Sequence, residues 1–162
     1  MLLALSNNSI DVVNLIEPFV TRAVDQGSSL IWKGAEEVYP NAARALLFYG
    51  PHFVADKPDA ANRFMVAYLQ GARDYMDAIE TGRNRDAVIA TLIEYTDVKD
   101  PSVYDRMIPA AIDRNGAFDE RDLEAQQDYY IETGQQQQRA DMQQAVDNHY
   151  REFAIGVLGR AP

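Results

Sequence analysis

The sequence predicts an α/β protein with a short αβ N-terminal region followed by a mostly helical C-terminal half. Three observations carry this. Short β-like runs bounded by Gly, Pro, Asn and Ser occupy residues 12–16, 30–32 and 45–49. From Asp56 onward, apolar residues instead recur at three- and four-residue spacing, the period of a helix. Between the first two runs lies NSIDVVNLIEPFVTRAVDQG, residues 8–27, which reads as a polar turn, a buried strand, a Glu-Pro corner and a helix ended by glycine.

The elements follow in order. Val12, Val13, Leu15 and Ile16 form a nearly continuous apolar run, the pattern of a strand covered on both faces. Pro18 stands at the first turn of a helix over 19–26, with Gly27 past its end. Phe64, Tyr68, Gly71, Tyr75 and Ile79 mark a long helix that stops at Gly82, with the aromatic stripe Phe64-Tyr68-Tyr75 expected in the core. Ala87, Val88, Leu92 and Tyr95 mark a shorter one. Asp100-Pro101 is an N-cap followed by proline, opening a helix through Tyr104, Met107 and Ile108. Asp119, three residues before Asp122, opens another, through Leu123 and Tyr130 to Gly134. The last runs through Met142, Val146, His149, Phe153 and Val157 to Gly159. Residues 135–138 are a polar linker. The domain reading is a single incomplete domain, made of an αβ region over 1–55, carrying the cleft and hinge elements, and a helical region over 56–162.

At 162 residues the chain is long enough for one domain with an adequate core. Apolar residues are 47% and charged residues 25%, ordinary for a globular protein. A net charge of −10 and a pI near 4.5 argue against a nucleic-acid partner. The absence of cysteine excludes disulfides, thiolate metal sites and cysteine nucleophiles. MLLALSNNSID lacks the basic region of a signal peptide, and no apolar run approaches the roughly 18 residues that span a bilayer.

Catalytic patterns are missing. There is no GxSxG, P-loop or GxGxxG. The two histidines, His52 and His149, are far apart, and His149 with Glu152 one turn on makes neither a metal site nor a triad. Asp74 and Asp77 with Arg73 read as a solvated face. Residues 113–122 align partly to a calcium loop, with Asp113, Asn115, Gly116 and Asp122 in register, but Ala111 at the first position cannot ligate, and Asp-x-Asn-Gly is also an ordinary turn. No enzyme activity, metal or cofactor is expected. Glu17 is the best single candidate, because in α/β proteins ligands are held just beyond strand ends. Two roles fit it. Its carboxylate can accept from a ligand amine or hydroxyl, or it can cap the helix that starts at Pro18.

The order of Ile10-Asp11, Leu15-Ile-Glu17-Pro18-Phe19, Ala23-Val24 and Gly27, then Glu37-Val-Tyr39-Pro40-Asn41, resembles the nitrate/sulfonate/taurine-type substrate-binding proteins of ABC importers. That group includes thiamine-pyrimidine-binding members. The likeness continues through Lys57-Pro58, residues 63–75, residues 95–101, Val146-Asp147 and Leu158-Gly159. It implies a partial periplasmic-binding-protein type II fold, the C-terminal half of a two-lobed binder. It also implies a role as the solute-binding component of an importer, or a truncated half of one, that recognises a small polar organic molecule of pyrimidine, sulfonate or aromatic-acid type. The partner would be an ABC permease and the compartment periplasmic, or cytoplasmic if Met1 is the true start. Carried across by position, Glu17, Pro18 and Phe19 would face the cleft, with Tyr39 and Asn41 near the hinge; Asn41 also reads as a turn residue after Pro40.

The alternative function is a non-catalytic, oligomerising interaction protein. About three strands leave apolar surface and unpaired edges in water, so a homodimer is expected, with the αβ region of one chain covering that of the other.

Overall fold

The computed structural model describes residues 1–40 and 42–162. Its elements are α1 (Leu2–Ser6), α2 (Phe19–Asp25), α3 (Ala35–Val38), α4 (Pro51–Asp56), α5 (Pro58–Thr81), α6 (Arg85–Tyr95), α7 (Pro101–Arg106), α8 (Glu120–Glu132), α9 (Met142–Ala145) and α10 (His149–Leu158). Just over half of the chain is helical (56%), and no strand occurs among the described residues.

This overturns the α/β expectation, and with it the partial periplasmic-binding-protein type II architecture. Residues 12–16, 30–32 and 45–49 carry the composition of strands, but a strand exists only when a second extended segment completes its ladder of N–H···O=C bonds. None of the three runs pairs with another. Nor is the first covered on both faces: Val12 is 71% and Ile16 73% exposed.

The local helix signals fared better, because each acts within a few residues. α2 ends at Asp25, before Gly27 at φ +66°, and α5 ends before Gly82 at φ +74°. Asp100 caps α7 by accepting from the Ser102 N–H, and Asp119 caps α8 by accepting from that of Arg121. The expected final helix is interrupted: α9 stops at Ala145, and the Asp147 carboxylate accepts from the His149 N–H at 2.8 Å, starting α10 afresh.

The chain divides into two compact units. The first joins Met1–Val38 to Asp77–Ala111. In it α6 packs on α7. Arg85 reaches the Asp105 carboxylate at 3.0 Å, and the Tyr104 hydroxyl donates to Val98 O at 3.1 Å. Ile89, Val98 and Val103 are buried there.

The second unit joins Tyr39–Met76 to Ile112–Pro162. Its core is Leu69, Ala154 and Ile155, flanked by Met65, Val66 and Leu158, so α5 lies on α10. The buried positions of α5 here are Ala61, Leu69, Ala72 and Met76 rather than the aromatic stripe; Phe64 is 47% and Tyr68 41% exposed. Small side chains let the helices approach closely, and the large rings are left at the margin of the contact. Phe64 joins a cluster of edge-to-face rings around Tyr49, with Phe53 and Tyr150.

The chain exposes 11650 Å². A compact monomer of this mass exposes about 8,100 Å², and two separate compact bodies sharing it would still expose only about 9,800 Å² together. In the first unit Leu30 is 80%, Trp32 75% and Val38 67% exposed.

Candidate functional site

Glu17 holds its own chain. One carboxylate oxygen accepts from the Thr21 N–H at 3.1 Å, satisfying an orphan donor of the first turn of α2, and the other accepts from the Ile108 N–H at 3.1 Å. Of the two roles open to it, this is the capping one, extended by a long-range contact. Pro18 is the N-cap of α2. Phe19 is 42% exposed, with the Arg22 guanidinium 5.9 Å from its ring centre. Arg106 and Asp25, 2.9 Å apart, bind the end of α7 to the end of α2.

Tyr39 belongs to the second unit, and Asn41 lies outside the described residues. The Tyr39 hydroxyl donates to the carboxylate of Asp122, which is buried. Asp122 also accepts from the Ala43 N–H at 2.6 Å and the Gln126 amide at 2.7 Å. These donors, Tyr39 first, hold the Asp122 carboxyl below the usual carboxylate range against the opposing effect of burial. The same bond holds the Tyr39 phenol above its ordinary value. Asp122 therefore ties the segment after Tyr39 to α8.

The calcium-like stretch is occupied by its own chain as well. Asp113 Oδ1 accepts from the N–H groups of Asn115 and Ala117, both at 2.9 Å, closing a turn. No group of three acidic or imidazole ligands gathers among the described residues. Gly116 sits at φ +67°, and a Cβ there would fall 2.9 Å from Leu69 Cδ2, so glycine is required both by conformation and by close approach.

Arg73 is not on a solvated face. Its guanidinium donates to Arg114 O at 2.9 Å, Asn115 Oδ1 at 3.1 Å and Gly159 O at 2.7 Å, with Leu158 O at 3.4 Å. Asn115 in turn grips the chain end, accepting from Ala161 N–H at 2.8 Å and donating to Ala161 O at 3.1 Å. A cation at the last carbonyls of α10 complements the helix dipole. The sequence signal for this, an arginine one turn from Leu69 on α5, is too common to single out.

Beside the α5–α10 contact lies an open depression of about 500 Å³, lined by Asp59, Asn62, Arg63 and Phe153. The sequence places Phe153 on the last helix and Arg63 within the resemblance, but gives none of the four a binding role. Their spacing, i, i+3 and i+4 on α5 facing Phe153 on α10, becomes meaningful only once the two helices are packed together.

No protein-family model matches this chain, and no curated protein or solved structure does either. No helix among the described residues is long and apolar enough to cross a membrane.

Proposed function

We propose that this chain is a non-catalytic interaction module whose partner is a second copy of itself. The observation that carries the reading is the apolar surface of the first unit, where Val12, Ile16, Leu30, Trp32 and Val38 are each at least two-thirds exposed. Isolated exposed apolar residues are ordinary, but a run of them within one small unit is characteristic of a surface that is covered in use. A standard interface takes roughly 800 Å² from each partner, so the surface in excess of two compact bodies, about 1,900 Å² on one chain, is more than enough to supply one. The importer role implied by resemblance depends on a sheet-built cleft between lobes, and the described residues form no sheet. The proposal therefore rests on the interaction reading.

Trp32 is the sole tryptophan and stands 75% exposed, so it reports the event directly. Light scattering at micromolar concentration is expected to give a dimer. Its fluorescence is expected to move toward the water-exposed wavelength on dilution, and Trp32→Ser is expected to shift the equilibrium to monomer. A monodisperse monomer with water-exposed emission at every concentration refutes the proposal.

A further inference from the structure

We infer that the depression between α5 and α10 is a binding site for a small zwitterion with an apolar body, an α-amino acid with an aromatic or large aliphatic side chain. Asp59 and Arg63 stand one helical turn apart on the wall of this depression. With the acid toward the helix N-terminus, that spacing ordinarily supports an ion pair. Neither residue has an ion-pair or hydrogen-bond partner among the described residues. A free carboxylate and a free guanidinium thus flank one concavity, the complement of an ammonium and a carboxylate carried on a single carbon. The guanidinium fork suits bidentate capture of the ligand carboxylate, and Asp59 suits its ammonium.

Two further groups define the rest of the ligand. Phe153, on the wall of the depression, is 42% exposed and can contact an apolar side chain. Asn62, between the two charges on α5, has its Oδ1 shielded from water with no donor in reach. A buried acceptor in that state is costly, and rotation of its side chain into the depression would let it accept from the ligand ammonium. The volume of about 500 Å³ lies within the range of small-molecule sites.

The site lies within the second unit and does not depend on self-association. The test is an amide-resolved NMR titration of the full chain with L-phenylalanine, phenylacetate and phenethylamine, the last two carrying one charge each. L-Phenylalanine is expected to shift the amides of residues 59–63 and 150–154 with a Kd on the order of 1 mM or tighter, and each single-charge analogue to bind about tenfold more weakly. Arg63→Gln is expected to abolish the advantage of phenylalanine over phenethylamine, and Asp59→Asn its advantage over phenylacetate. Both positions are exposed, and circular dichroism checks that the helices persist. No shift at these amides up to about 10 mM, equal binding of all three compounds, or variants that bind like the parent each overturns the inference.

Discussion

Replacing Arg73 by methionine removes the guanidinium while keeping an apolar stem in the contact between α5 and the chain end. Three acceptors within 3.1 Å lose their donor: Arg114 O, Asn115 Oδ1 and Gly159 O. Hydrogen bonds from a charged donor contribute roughly 1.5–3 kcal/mol each, but contributions in one network do not add. The Gly159 carbonyl lies at an exposed end of α10 and regains water when freed, whereas Arg114 O and Asn115 Oδ1 are partly buried. The expected loss is therefore about 3 kcal/mol, near the sum for the two shielded acceptors. At this chain length that corresponds to a fall of about 6–12 °C in the melting temperature of the chain. Arg73→Lys keeps the charge but not the fork, so it is expected to recover less than half of the loss. Because Asn115 is gripped by the same guanidinium, Arg73→Met with Asn115→Ala is expected to cost less than the sum of the single changes. Urea denaturation followed by circular dichroism gives the energies. Hydrogen exchange then locates them, with faster exchange at residues 114–117 and 156–161 and little change over 85–106. A stability within about 0.5 kcal/mol of the parent, or loss of protection spread evenly over the chain, refutes the reasoning.

Leu69→Ala opens a cavity at the one large side chain that is wholly buried among the described residues, and is expected to cost about 3 kcal/mol in a chemical melt. Gly116→Ala combines a positive-φ penalty with a Cβ that strikes Leu69, so it should destabilise by about 1–3 kcal/mol; in a Leu69→Ala background the clash part disappears, and a double-mutant cycle measures it. Asp122 is held low in the folded state, so its contribution is fully present above the unfolded carboxylate pKa near 4 and is lost as pH falls through the lower folded value; urea midpoints measured from about pH 5 to pH 2 should fall, and Asp122→Asn should flatten that fall. Tyr39 runs the other way, since its raised phenol contributes below pH about 10 and loses that contribution as pH rises through the folded value; Tyr39→Phe should reduce the alkaline slope and weaken the acid one together, because one bond underlies both.

What was legible in the sequence divides by range. Gly27, Gly82 and Gly134 each stand at positive φ just past the helix they were expected to end, and Asp100 and Asp119 cap as expected, because a cap or a left-handed glycine is decided by atoms two to four residues away. The three apolar runs before Gly50 were misread because strand formation is not local. Val12, Val13, Leu15 and Ile16 have the side chains of a buried strand, but only a partner segment could make them one, and none comes. Glu17 was legible as a carboxylate with work to do at the start of α2; the second half of that work, Ile108 N–H, lies 91 residues away and has no sequence signal. Asp122 stood in a calcium-like register, yet its partners Tyr39 and Ala43 arrive from a segment no loop pattern mentions.

The same division bears on how the chain works. Its second unit adds polar long-range ties, Arg73 to Gly159 and Asp122 to Ala43, to a core of Leu69, Ala154 and Ile155 supplied by α5 and α10. Its first unit buries Ile89, Val98 and Val103 but leaves Trp32 and Leu30 in water. A fully exposed Trp or Leu forgoes on the order of 1.5–3 kcal/mol relative to burial. Several such residues together are comparable to the whole net stability of a small domain, about 5–15 kcal/mol. A dimer that covers these side chains should therefore stabilise the first unit selectively. Raising the protein concentration is expected to increase hydrogen-exchange protection in residues 19–38 and 77–106 while leaving residues 58–76 and 149–158 unchanged. Protection that rises equally in both units, or in neither, would separate the exposed apolar run from assembly and remove the reason for proposing it.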